Sequence, residues 1–142
     1  MPKRILVPVD GSVPADAALS FALAEFPDAE MTVLSVVDPT DAGYASVESA
    51  PSTFERLQEA ARERAESVLD DARETAADRG VEVTTETAVG EPSRAIVRWV
   101  EDHDVDQVVV GSHGRRGVSR VLLGSVAESV VRRSPVPVTV VR

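Results

Sequence analysis

The chain reads as an α/β protein, an open five-stranded parallel sheet with helices on both faces. Three observations predict this. Five short apolar runs rich in Val, Ile and Leu recur at roughly regular intervals along 142 residues. Helical patterns separate them, and such alternation builds a parallel sheet sandwiched by helices. The fourth run, Val108-Val109-Val110, is apolar without interruption, as in a central strand covered on both faces.

Each element has its own signal. Ile5-Leu-Val-Pro-Val9 is the first strand, with Pro8 near its end, where a lost ladder donor costs little. Asp10-Gly-Ser12 turns the chain, and Pro14 suits the first turn of a helix whose stripe is Ala18, Leu19, Phe21, Ala22 and Phe26. Met31 to Val37 is the second strand, stopped by Asp38-Pro39. Ser, Ala, Gly and Pro dominate from Thr40 to Ser52, which reads as a surface loop. Thr53 caps a long helix in which Phe54, Leu57, Ala61, Ala65, Val68, Ala72 and Ala76 recur at three- and four-residue steps, and Gly80 ends it.

Val81 to Ala88 alternates, as a half-buried edge strand does. Pro92 opens a helix carrying Ile96, Val97 and Val100, with Trp99 on its packing side and an acidic loop from Glu101 to Asp106. Gln107 to Val110 is the fourth strand, Ser125 to Arg133 the last helix, and Pro137 to Val141 the final strand.

The size suits one domain, spanning residues 1–142, with a sizeable core. There is no Cys, which excludes disulfides and thiolate metal sites, and two His give no protein-built metal cage. The first apolar run is too short for a signal-peptide core or a membrane span, so the expectation is a soluble cytoplasmic protein. A net charge of −9 argues against nucleic acid and anionic membranes as partners. Lys3 is the single lysine; acidic excess with so little lysine suits a salt-rich cytoplasm, and the expectation is a haloarchaeon or other halophile, with a GC-rich genome that encodes Arg for Lys as the bland alternative.

Against that acidic background, five Arg and one Glu fall between Gly111 and Ser134. The same stretch holds Gly111, Gly114 and Gly124, spaced by two and then nine residues, with Ser125 after the last. A glycine loop between a strand and a helix presents bare N–H groups at the positive end of the helix dipole, the ingredients of a phosphate cradle. In doubly wound sheets ligands sit beyond the carboxyl ends of the strands, at the switch in strand order. Asp10, the Val37-Asp38 turn and the Gly111 loop all fall there and converge on one crevice.

Taken together, these residues resemble the universal stress protein family, over essentially the whole chain. Gly111, Gly114, Gly124 and Ser125 match its ATP-binding signature in full, and Ile5 to Ser12 and Pro137 to Val141 look like its first strand and turn and its last strand. The resemblance implies a Rossmann-like sheet of order 3-2-1-4-5, of the adenine nucleotide alpha hydrolase-like type. It also implies an adenine nucleotide ligand, ATP or ADP or AMP, with Mg²⁺ held mainly by the phosphates. Asp10 would hydrogen-bond the ribose; Pro8, Val9 and Val36 would line the adenine pocket, Val36 offering its backbone to the base. Gly111, Gly114 and Gly124 would let the backbone approach ribose and phosphates, Ser125 would donate to a phosphate, and Val126 follows it in the cradle. Arg115 and Arg116 stand outside the signature, as auxiliary phosphate contacts or solvated loop charges. The final strand, Val136 to Val141, would pair across a homodimer.

Plainer roles stand beside these. Asp10 suits an ordinary turn, since Asp often hydrogen-bonds its own backbone. His113 reads as a solvated or phosphate-adjacent side chain, His103 as structural or exposed, Glu128 as a paired surface carboxylate. No catalytic acid, base or P-loop Lys is apparent, so at most slow ATP hydrolysis is expected. The alternative function is a dimeric interaction module that works without nucleotide. An adenylate-forming enzyme would need a Ser-Gly-Gly loop or a His-rich element, and Val9-Asp-Gly-Ser-Val13 is neither. A phosphoacceptor receiver lacks its acidic cluster and Lys.

Overall fold

The computed structural model describes the backbone of residues 2–38, 51–113 and 123–142, with side chains described throughout except at 51–54. The elements run β1 (Arg4–Pro8), α1 (Val13–Glu25), β2 (Glu30–Val37), α2 (Pro51–Asp78), β3 (Thr84–Val89), α3 (Pro92–Asp102), β4 (Gln107–Gly111), α4 (Ser125–Arg133) and β5 (Val138–Val141). The sheet is parallel, in the order β3-β2-β1-β4-β5. Leu6 in β1 faces Thr32 of β2 on one side and Val108 of β4 on the other. The strand order therefore reverses between β1 and β4, which opens the crevice there.

Strand alternation splits the core into two layers. Ile5, Val7, Val9, Met31, Val33 and Val109 pack against α1 and α2. Leu6, Leu34, Val108 and Val110 pack against α3 and α4. Leu6 and Leu34 are fully enclosed; burial of that kind contributes about 1.5–3 kcal/mol per side chain.

Local chemistry sets the helix ends. Ser12 precedes α1 and its Oγ accepts the Ala15 N–H at 3.3 Å, with proline in the first turn. Gly80, at φ 71°, closes α2: its N–H donates to the Ala77 carbonyl and the Val81 N–H to Ala76. Glu91 caps α3. Burial pushes its carboxyl up, but hydrogen bonds from Ser93 Oγ and from the Arg94 and Ser93 N–H groups, with the Arg94 charge, outweigh this and hold it below the ordinary range.

Several details differ from the sequence reading. Phe21 lies at the surface, and Ala15 and Leu23 join Ala18, Leu19 and Ala22 on the buried face of α1. That face follows the i, i+3, i+4, i+7, i+8 rule, and Phe21 sits off it. In α2 the most enclosed large side chain is Leu69, flanked by Ala65, Ala72 and Ala76. The edge strand starts at Thr84; Val81 and Val83 pack on the core ahead of it. Helix α2 opens at Pro51, inside the expected loop, and α3 continues to Asp102, into the expected acidic loop. Residues 40–50, the Thr53 cap and the Phe54 contact lie outside the described residues and side chains. No described helix is long and apolar enough to cross a membrane.

Candidate functional site

The carboxyl ends of β2, β1 and β4 lie side by side and carry three different chemistries. At β2 there is a small, half-open cleft of about 30 Å³, lined by Asp10, Ser35, Val36, Val37 and Asp38 and, across from them, by Ala61, Arg64, Ala65 and Val68 of α2. The wall from α2 is what the sequence reading missed. Ala61, Ala65 and Val68 carry an ordinary core periodicity, and Arg64 looks like any solvated charge beside it.

At β1, Asp10 leads into α1. Its Oδ1 accepts the Ser12 N–H at 3.0 Å, so the turn-forming role expected of an aspartate here is real. Gly11 takes the left-handed conformation this turn needs, at φ 82°. Burial raises the nearby Asp16 carboxyl, and the charges of Asp10 and Asp71 raise it further. Asp10 and Asp16 thus stand close together at the start of α1.

Pro8 and Val9 immediately precede Asp10. Both are buried, neither lines the cleft, and the Val9 side chain belongs to the α1–α2 core layer while its N–H donates to the Leu34 carbonyl at 2.8 Å. Val36 does reach the cleft, yet it also packs against the opposite layer beside Leu34. This leaves its backbone as the part suited to a ligand.

At β4, Gly111 is buried for a packing reason. A Cβ there would stand 2.6 Å from the Pro14 carbonyl carbon, 2.7 Å from its oxygen and 2.9 Å from the Ala15 N. The bare Cα lets the end of β4 touch the first turn of α1, which fixes β4 against the Asp10–Ser12 turn. Ser112 follows, its N–H donating to the Val141 carbonyl at 2.8 Å and its carbonyl accepting the Gly124 N–H at 2.6 Å. Its Oγ lies 3.0 Å from His113 Nδ1. Gly114, Arg115 and Arg116 lie outside the described residues.

Helix α4 begins at Ser125 with Gly124 as its N-cap, and among the described residues no side chain caps it. The first-turn N–H groups of Ser125, Val126 and Ala127 have no intrahelical partner by geometry. Helices α1 and α3 satisfy such groups with Ser12 and Glu91. Ser125 is exposed, whereas the Val126 side chain packs on the α3–α4 core layer. The first-turn acid, Glu128, is tied to Arg132 at 3.0 Å, as the surface-pair reading expected. This terminus is a donor array at the positive end of a helix dipole, with a hydroxyl beside it.

The universal stress protein family model matches residues 1–142. The chain belongs to that family. Universal stress protein MJ0531 of Methanocaldococcus jannaschii is 34% identical over 142 residues, covering 99% of this chain and 82% of the relative. The solved structure of MJ0577 has a TM-score of 0.82 at 32% identity, covering 99% of this chain and 96% of that one. A universal stress protein family member from Arabidopsis thaliana, solved with AMP bound, shares the fold at a TM-score of 0.72 and 21% identity, over 99% of this chain and 91% of that one. The family's α/β sheet is the architecture described above, strand order included.

Trp99 and His103 lie away from this crevice. Trp99 packs on the α3–α4 layer, and its ring stacks on His103 with centroids 3.8 Å apart. Both are structural, as expected.

Proposed function

We propose that the protein, as a single domain, binds an adenine nucleotide across the carboxyl ends of β2, β1 and β4. The base enters the cleft under α2, the ribose meets Asp10, and the phosphates meet the first turn of α4 with Ser125 donating its hydroxyl. The observation that carries this reading is the juxtaposition itself. A small half-open cleft, a carboxylate and a helix N-terminus occupy three adjacent strand ends, about 10 Å from β2 to β4. Nucleotide binding by a relative of the same fold, solved with AMP, supports it.

Among the described residues no three His, Cys, Asp or Glu are grouped to hold a metal ion, so Mg²⁺ would come with the phosphates. When bound, it would neutralise phosphate charge. Asp10 is occupied by the turn and by the ribose hydroxyls, and no base is assigned to the γ-phosphate; ATP is held and turned over slowly or not at all. The protein acts as a cytoplasmic stress-response or signalling homodimer joined through β5, in a halophile whose salt screens its acidic surface.

The test is calorimetric titration of MgATP into the wild type, Gly124→Val and Ser125→Ala. Gly124 has φ −64°, which any residue adopts, so the valine adds bulk without backbone strain. Binding should be lost in Gly124→Val and weakened about tenfold in Ser125→Ala, a charge-assisted hydrogen bond being worth roughly 1.5–3 kcal/mol. Wild-type affinity in both folded variants would contradict the reading and favour the nucleotide-independent interaction module.

A further inference from the structure

We propose that the front half of α2, from Glu55 to Arg64, is a lid whose closed form excludes the nucleotide, so that binding proceeds by its unwinding. This rests on the nucleotide reading above and adds to it a moving part that has no place in the glycine signature.

Helix α2 is anchored over only part of its length. Its 28 residues span about 42 Å, whereas β2 beneath it has 8 residues and spans about 26 Å. The anchored part is the rear half. Ala65, Leu69, Ala72 and Ala76 are buried, the last three in the core layer shared with α1. Arg73 donates to Thr85 Oγ1 of β3 at 2.6 Å, and Arg79 to the Ser20 carbonyl of α1 at 3.1 Å. From Glu55 to Arg64 no side chain is buried; Leu57 and Ala61 are half-buried and the other eight are exposed. Helices draw most of their stability from packing, and so short a helical segment is marginal in water by itself. The front half therefore sits at the low-stability end of the molecule, able to open while the rear half stays folded.

The boundary between the halves falls on the crevice. Ala61 and Arg64 of the front half, with Ala65 and Val68 of the rear half, wall the cleft opposite Ser35, Val36 and Val37. With that wall in place the cleft holds about 30 Å³, room for one or two waters and for no purine. A nucleotide at the end of β2 must therefore displace part of the wall. Leu69 and Arg73 pin the rear half, so Ala61 and Arg64 are the side that yields. Neither Gly nor Pro occurs from Glu55 to Asp78, so the helix has no built-in kink. The front half yields instead by losing turns from its amino-terminal end. A ligand that binds only the unwound form pulls the population toward it, and its apparent affinity scales with the unwound fraction.

The experiment is amide hydrogen exchange of the full chain with and without MgATP, paired with calorimetric titration of MgATP into the wild type and Ala60→Gly. Ala60 is exposed and lies off the cleft lining, so glycine there acts on helix stability alone, a shift of roughly fivefold toward the unwound form. Amides 55–64 should exchange faster than amides 66–76 in the free protein, and faster again when MgATP is added. Ala60→Gly should bind MgATP up to about fivefold more tightly than the wild type, with circular dichroism and cooperative unfolding confirming its fold. Front-half amides that MgATP slows or leaves unchanged would overturn the inference. So would an Ala60→Gly affinity equal to the wild type or weaker, and both results leave the nucleotide reading intact. A wild type that does not bind MgATP would overturn that reading and this inference with it.

Discussion

The Gly124 N–H donates to the Ser112 carbonyl at 2.6 Å, closing the two ends of the glycine loop on each other. The Ser112 N–H is in turn held by the Val141 carbonyl at 2.8 Å. The start of α4, the end of β4 and the end of β5 are therefore one bonded unit. The uncapped turn of α4 inherits its position from the sheet, so the donor array is fixed before any ligand arrives.

Gly111 extends that unit to α1. Gly111→Ala would drive a Cβ into the Pro14–Ala15 backbone, which cannot step aside as a flexible side chain can. A loss of about 1–3 kcal/mol is expected for such overpacking, with weaker nucleotide binding because the Asp10–Ser12 turn shifts. Urea unfolding checks the first part and calorimetry the second. An alanine variant as stable as the wild type would show that α1 does not bear on β4.

Glu91 gives a pH signature. Its folded-state carboxyl is held below the ordinary range, so its stabilisation is fully present above the unfolded-state value and disappears as pH falls through the folded one. Glu91→Ala should cost about 0.5–2 kcal/mol near neutrality, the range for replacing an N-cap by alanine. The gap from wild type should close on acidification. Unfolding midpoints of both proteins across the acid range decide it; a gap that stays constant would mean the charge of the cap contributes nothing.

The edge strand makes a prediction about assembly. The Pro137 and Val141 carbonyls accept from Val108 and Ser112 of β4, so the backbone groups of the alternate residues Val138 and Val140 point away from β4. Val140→Pro removes one outward N–H and spares the β4 ladder. In sedimentation, the wild type should run as a dimer and this variant as a monomer with unchanged far-ultraviolet dichroism. Dimeric Val140→Pro would place the interface elsewhere.

Salt should act on stability through charge. With a net charge of −9, and with Asp10, Asp16 and Asp71 repelling one another, screening should raise the unfolding temperature as KCl increases. Asp16→Asn should flatten the curve at its low-salt end. Indifference to salt from about 0.1 M to about 1 M, over which the Debye length falls from about 10 Å to about 3 Å, would argue against a surface adapted to brine.

Much of this was legible because the signals are local. Alternation separates strands from helices, Pro14 and Pro92 mark helix starts, and the last helix carries Arg132 and Arg133 in its final turn. The site was legible only in part. Asp10 and Val36 line the cleft at the end of β2 and Ser125 opens α4, but Gly111 serves the packing of α1, which depends on a contact across almost a hundred residues. Ser35, Ala61, Arg64 and Ala65 come together only through the crossing of α2 over β2. Nothing in the local sequence of either segment announces that meeting. Phe21 was misplaced for a similar reason: the direction of the buried stripe of α1 is set by the neighbouring α2 and sheet, not by hydrophobicity alone.

The most direct measurement is the identity of whatever the protein carries when purified in high salt without added nucleotide. Denaturation, followed by mass spectrometry of the released small molecules, reads it. The account predicts an adenine nucleotide in near-equal amount to protein, and its loss from Gly124→Val prepared in the same way. Protein that carries no nucleotide, and that ignores added MgATP in calorimetry, would contradict it.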